Sequence, residues 1–211
     1  MSTPSKRGFF ITLEGGEGGG KTTLAQSLKQ HFETQGRRVL CTREPGGCAL
    51  AESVRALVLG RSDTVSIGQR AELFLFLAAR AQHVAERIAP ALEEGVVVIC
   101  DRFTDSSVAY QGYARGLGME LVRSLSLAAT GDLSPDLTFV LDLPPELGLQ
   151  RARRVSEADR MESEALAFHQ RVREGFLRIA KEDPARVHVL DATQPIAVVL
   201  EQALRCATER V

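Results

Sequence analysis

Short runs that are apolar almost throughout alternate along the chain with longer helical stretches. The runs occupy residues 9–14, 38–43, 96–101, 137–142 and 187–191, each rich in Val, Ile, Leu or Phe and polar mainly at its ends. Unbroken apolarity fits strands covered on both faces, which means a parallel sheet. The stretches 21–36, 49–60, 68–94, 104–130, 144–155, 161–182 and 195–209 are expected to be helices. Gly36, Gly60 and Gly95 fall where helices should stop, and Pro90 should kink or shorten the end of its own. No repeat or low-complexity linker divides the sequence. The expected architecture is a three-layer α/β domain spanning 1–211, with a five-stranded parallel sheet flanked by helices and right-handed crossovers.

Composition narrows the classes of function. At 211 residues and 44% hydrophobic, the chain can bury its own core. No apolar run approaches the roughly 20 residues of a membrane span, and the N-terminal MSTPSKRG lacks the apolar centre of a secretory signal, so a cytoplasmic protein without a membrane partner is expected. A net charge of −1 gives no overall basic field for nucleic acid, and without Trp a stacking platform for single strands is not expected. Cys41, Cys48, Cys100 and Cys206 have neither CxxC spacing nor disulfide density, which points to reduced structural thiols.

The chemistry begins at Gly15-Gly16-Glu17-Gly18-Gly19-Gly20-Lys21-Thr22, a GxxxxGK[ST] match between an expected strand and an expected helix. Such a loop wraps backbone N–H groups around a triphosphate, and the helix N-terminus adds its positive end. Lys21 is then expected to reach the β- and γ-phosphates, with Thr22 offering its hydroxyl to Mg²⁺ and Thr23 completing the ATP-binding stretch. Glu17 is anomalous here, because an acid beside phosphates is electrostatically unfavourable; its side chain should point away from them. Asp101 ends a strand as a Walker-B-type acid would and could hold Mg²⁺ through water, the lesser alternative being a helix cap or salt-bridge partner.

Three further stretches, CTREPGG at 41–47, AELFLFLAARAQH at 71–83 and VVVICDRFTDSSVAYQG at 96–112, make the ensemble resemble the thymidylate kinase family. RARRVSEADRME at 151–162 looks like that family's mobile lid, and VLDATQP at 189–195 like its adenine-side loop. The resemblance spans roughly residues 9 to 200, with the motifs in order. It implies a P-loop kinase fold, a homodimer, and transfer of the ATP γ-phosphoryl group to dTMP. Glu17 would turn toward the acceptor 3′-hydroxyl, Phe74 would stack on the thymine ring, and Arg80 would bond its edge. Arg102 would grip the acceptor phosphate in a fork that Lys cannot reproduce. Tyr110 would exclude a ribose hydroxyl, Gln111 and Ser106 or Ser107 would bind the base or nearby polar groups, and Pro45 would join the substrate wall after a cis Glu44–Pro45 bond.

Phe74 and Arg80 are six residues apart, so on a helix they lie roughly 9 Å apart along the axis and about 120° apart around it, close enough to border one cleft. Phe76 competes as a core residue. Gly18 stands where the eukaryotic type has a loop arginine, so the resemblance assigns the transition-state charge to the lid, which carries Arg151, Arg153, Arg154 and Arg160. Arg153 is the first choice, Arg160 and Arg154 the reserves, and after loss of the lid arginine Gly18→Arg is expected to restore the rate in part from the loop side. No strong general base is needed, because a phosphate monoester with a second pKa of about 6 is mostly dianionic at neutral pH. Alternatives remain a deoxynucleoside kinase, which would want a carboxylate base near an uncharged 5′-hydroxyl, and a non-catalytic P-loop protein. A regulatory GTPase is disfavoured, since the chain has no NKxD motif and no DxxG after the third strand.

Overall fold

A computed structural model describes residues 7–60, 66–154, 159–208 and 210. Strands β1 (Phe10–Glu14), β2 (Val39–Arg43), β3 (Val97–Asp101), β4 (Leu137–Asp142) and β5 (Val187–Asp191) form one parallel sheet in the order β2-β3-β1-β4-β5. The three central strands are buried almost end to end, whereas edge strands β2 and β5 are partly open. The apolar runs are therefore the expected strands, trimmed by at most one residue at the start.

Side chains alternate across β1. Ile11 and Leu13 face α1 (Lys21–Thr34) and α9 (Ile196–Thr208), meeting Leu24, Leu28, Phe32, Val199 and Ala203 in one core layer. On the opposite sheet face, Phe10, Val98 and Cys100 pack with Phe103, Val84 and Ile88. Each large apolar side chain buried this way is worth about 1.5–3 kcal/mol, so the two faces together hold the sheet ends where loops must converge.

Two expected helices are broken. The stretch 68–94 is helical almost throughout but composite: α3 (Gln69–His83) passes into a π-helical turn (Val84–Ile88) and then into α4 (Ala89–Glu93). The wider turn comes directly before Pro90, which has no N–H to donate and whose ring needs room. The stretch 104–130 is not one helix. It divides into α5 (Thr104–Ser107), a π-helical segment (Val108–Ala114) and α6 (Met119–Thr130). Gly118, with φ 99°, precedes α6 in a conformation closed to most residues, so the backbone turns there. The other helices include α2 (Ala49–Leu59) after β2, α7 (Pro145–Ala152) after β4, and α8 (Leu166–Glu182). The last starts five residues later than expected from 161, because Asp159 organises residues 159–163 into a turn. Its Oδ1 accepts from Glu162 N at 2.8 Å and its carbonyl from Ser163 N at 3.0 Å. Residues 155–158 of the expected lid lie outside the described residues. No described helix is long and apolar enough to cross a membrane.

Candidate active site

A cleft of about 460 Å³ opens at the C-terminal ends of β1, β2 and β3, within the size range of small-molecule sites. One wall is the glycine loop and the first turn of α1: Gly18, Gly19, Gly20, Lys21, Thr22 and Thr23. Gly15 and Gly16 do not line this cleft. They face a smaller cavity behind the loop, and their carbonyls accept from Lys21 Nζ at 3.4 and 2.7 Å. Burial lowers the Lys21 pKa, with the neighbouring Arg102 acting in the same direction. Thr22 Oγ1 donates to Asp101 Oδ2 at 2.8 Å, bringing the start of α1 to the end of β3. Their hard oxygen donors suit a divalent cation of the Mg²⁺ type, so the residues present fit the expected metal.

The opposite wall contains Glu17, Pro45, Arg80, Arg102, Ser106, Ser107, Tyr110 and Gln111, all expected from the sequence. The Glu44–Pro45 bond is cis. Glu17 Oε1 accepts from Arg102 Nη2 and from Tyr110 Oη, each at 2.7 Å, and the guanidinium lies 5.2 Å over the Tyr110 ring. Burial by itself would raise the Glu17 pKa, but Arg102, Lys21 and the Tyr110 hydrogen bond hold it down at about 2. Thus the charge of the acid in the phosphate loop is already countered by Arg102 and Lys21, with Tyr110 donating a hydrogen bond to it. Arg102 is fixed further by Gly15 O at 2.9 Å and Ser106 Oγ at 3.3 Å.

Beneath this pair lies a second acid. Glu14, at the end of β1, accepts from Phe103 N at 2.8 Å and from Ser106 Oγ at 2.5 Å. Complete burial, reinforced by neighbouring Asp105, pushes its pKa up to about 8 despite those bonds and Arg102. Glu14 was not anticipated as part of the site.

Arg80 is almost fully buried and spans the floor: Nε donates to Glu44 Oε2 at 2.6 Å, Nη1 to Ser107 Oγ at 3.0 Å and Nη2 to Phe103 O at 2.9 Å. Glu44, His83 and Cys100 bring potential metal ligands together, with His83 Nδ1 3.0 Å from Glu44 Oε1. That carboxylate already carries the Arg80 cation, burial raises the Cys100 thiol's pKa well above its usual value, and Cys100 Sγ is engaged with Arg102 O at 3.0 Å, so Glu44, backed by His83, serves as the hydrogen-bonded support of Arg80.

Expected positions on α3 and in the lid lie elsewhere. Phe74 is 56% exposed on α3 and does not line the cleft; Phe76 does. The reason is helical phase: Phe76 and Arg80 are four residues apart and share a face, whereas Phe74 is turned about 120° from Arg80. Arg153 is exposed just beyond α7 and does not line the cleft either, and Arg154 is exposed beside it. Arg151, in the last turn of α7, lines the cleft and donates to Ala192 O at 2.8 Å. Nor can a loop arginine simply replace Gly18. That residue has φ 65°, and a Cβ there would sit 2.1 Å from Gly148 O, so Gly18→Arg would displace α7 rather than restore charge.

Arg55 was missed altogether. It lines the cleft from α2 and donates to Pro45 O at 2.9 Å, with burial and then Arg43 and Arg102 lowering its pKa. The sequence carried a signal: Ala51, Arg55 and Val58 follow i, i+4, i+7 spacing, so an arginine occupies the inward stripe of α2.

A parallel sheet with a glycine loop between its first strand and first helix, facing a second polar wall across one cleft, defines a P-loop nucleotide-binding phosphotransferase. The family model for thymidylate kinase matches residues 13–203. The chain is 45% identical to a thymidylate kinase of Protochlamydia amoebophila, over 100% of this chain and 96% of that protein. It is 53% identical to one of Desulfovibrio desulfuricans over 89% of each. A crystal structure of thymidylate kinase from Ehrlichia chaffeensis superposes with a TM-score of 0.75 at 34% identity, covering 94% of this chain and 98% of that one. The chain belongs to the thymidylate kinase family.

Proposed function

We propose that the protein transfers the γ-phosphoryl group of ATP in line to the 5′-phosphate of dTMP, yielding dTDP for dTTP synthesis. The observation that carries this reading is the meeting, in one cleft, of the Lys21–Thr22–Asp101 wall with the Glu17–Arg102–Tyr110 wall. Lys21, released from the loop carbonyls, meets the β- and γ-phosphates. Thr22 and Asp101 would hold Mg²⁺, which when bound would supply further charge neutralisation. Arg102 forks onto the acceptor phosphate, Glu17 and Tyr110 meet the sugar, and Phe76 takes the stacking role against the base beside Arg80 and Gln111. Arg151 replaces Arg153 as the cationic residue of the lid nearest the transferred group. Positioning and charge are what phosphoryl transfer requires of a protein.

A kinase acting on an uncharged hydroxyl would need a base, and a carboxylate held at about 2 such as Glu17 is a weak one. ADP release measured with Mg-ATP and each nucleoside monophosphate tests the assignment. dTMP should be used much faster than AMP, GMP, CMP or thymidine, and equal rates with CMP would overturn it. Lys21→Ala should retain less than about a tenth of the turnover. We also propose a cytoplasmic homodimer. Leu50 and Leu57 of α2, Phe74 of α3, and Leu121 and Leu127 of α6 are exposed apolar side chains on helices packed side by side, α2 on α3 and α3 on α6, an arrangement that suits a two-fold interface.

A further inference from the structure

Glu72 of α3 is 1% exposed, does not line the cleft, and gathers donors from three residues in two distant parts of the chain. Gln111 Nε2 reaches its Oε1 at 2.9 Å, and Arg115 spans both oxygens at 3.4 and 3.3 Å. Arg160 Nη2, from the lid, reaches Oε2 at 2.6 Å. Arg160 is itself tied to α2, its Nε donating to Val58 O at 2.6 Å and its backbone N to Leu59 O at 3.2 Å. Arg115 also donates to Glu164 at 2.6 Å and lies 4.4 Å over the Phe168 ring. One buried carboxylate thus joins the base-side glutamine to the residues on either side of the lid's C-terminal turn.

An ionised carboxylate only accepts hydrogen bonds, so the Gln111 amide nitrogen must face Glu72 and its carbonyl oxygen is turned the other way. Burial would raise the Glu72 pKa, but the bonds from Gln111 and Arg160 and the charge of Arg115 leave it lowered, which keeps the carboxylate ionised at neutral pH. Resting on the reading of the cleft as a dTMP site, we propose that Glu72 is a specificity-determining positioning residue: it locks the Gln111 amide so that an acceptor oxygen is offered to the base. An acceptor there suits the N3–H of thymine and opposes the bare N3 of cytosine. Without the lock the amide is free to turn over and present its NH₂ group, so discrimination between the two pyrimidines weakens. The Arg160 arm holds the lid turn and carries no base information.

The test is the ratio of kcat/KM for dTMP to that for dCMP, with the KM for ATP as control. Glu72→Gln, which cannot accept on both sides, should lower the ratio fivefold or more and leave the KM for ATP within twofold. Arg160→Met cuts only the lid arm and should keep the ratio within fivefold of wild type. A Glu72→Gln ratio within fivefold of wild type, or an equal fall with Arg160→Met, overturns the proposal. If Glu72→Gln does not fold, Glu72→Asp keeps the charge for both arginines but draws back from Gln111, and the same fivefold threshold applies. Wild-type protein that does not use dTMP would instead overturn the substrate assignment, a result visible before any variant is made.

Discussion

Glu14 and Glu17 stand three residues apart, both meet Ser106 or Arg102, and yet their environments drive them in opposite directions: one pKa goes up to about 8, the other down to about 2. The strand-end pocket around Glu14 has a backbone N–H and a hydroxyl as its direct donors, with Asp105 nearby, so burial prevails. The loop pocket around Glu17 presents Arg102, Lys21 and the Tyr110 hydroxyl, and their attraction prevails over desolvation. Position in a motif does not fix what a carboxylate does. The neighbours that the fold brings from residues 101–110 decide it.

The largest effect should come from removing the Glu17 charge. Glu17→Gln leaves Arg102 and Lys21 without their counter-charge in the cleft, so kcat/KM for dTMP should fall by about a hundredfold or more, near 2.7 kcal/mol. Glu14→Gln is nearly isosteric with the protonated acid: its amide oxygen accepts from Phe103 N and its NH₂ donates to Ser106 Oγ. Its kcat/KM near pH 7 should stay within about threefold of wild type. Steady-state kinetics on both variants breaks the comparison if the two losses are alike.

Stability against pH sharpens it. Because the folded pKa of Glu14 is raised from 4.5 to about 8, its contribution is full below pH 4.5 and is lost as pH rises toward 8. The folded pKa of Glu17 is lowered to about 2, so its contribution is present above pH 4.5 and is lost as pH falls toward 2. Denaturant unfolding of wild type should show Glu14 withdrawing at most about 1.4 kcal/mol per pH unit across the upper window. Glu14→Gln should flatten that decline, and Glu17→Gln should leave it in place while reducing the loss on the acid side. A wild-type decline between pH 5 and 8 that Glu14→Gln leaves unchanged would show that Glu14 is ionised in the folded protein.

The same contrast explains what was legible in the sequence. The strands could be read because burial on both sheet faces leaves an apolar run with no period, and the glycine loop because its spacing and its strand-to-helix setting are local. Facing residues were harder. LFLFL offers two aromatics, and only the four-residue step from Phe76 to Arg80 identifies the one in the cleft. The break before α6 depends on the backbone conformation at Gly118, which the apolar pattern on either side bridges without a mark. Arg151 and Arg153 carry the same charge two residues apart, so charge counting cannot choose between them; the end of α7 does. Glu14 reads as the polar end of a strand, since Ser106 and Phe103 reach it across about ninety residues of chain.

A loss well below that of Glu17→Gln is expected from removing the hydroxyl that Tyr110 donates to Glu17. Tyr110→Phe removes one neutral donor to an ionised acceptor while Arg102 continues to neutralise the same oxygen, and the ring keeps its place beneath the guanidinium. The loss should therefore be about 1 kcal/mol, or roughly fivefold in kcat/KM for dTMP, with the folded state intact. Tyr110→Ala removes the ring as well, opening space against the sugar, and should raise use of a ribonucleotide acceptor relative to dTMP, which the phenylalanine variant should not. Measuring both ratios separates the hydroxyl's electrostatic part from the ring's steric one. If Tyr110→Phe costs as much as Glu17→Gln, the tyrosine rather than Arg102 governs the charge of Glu17.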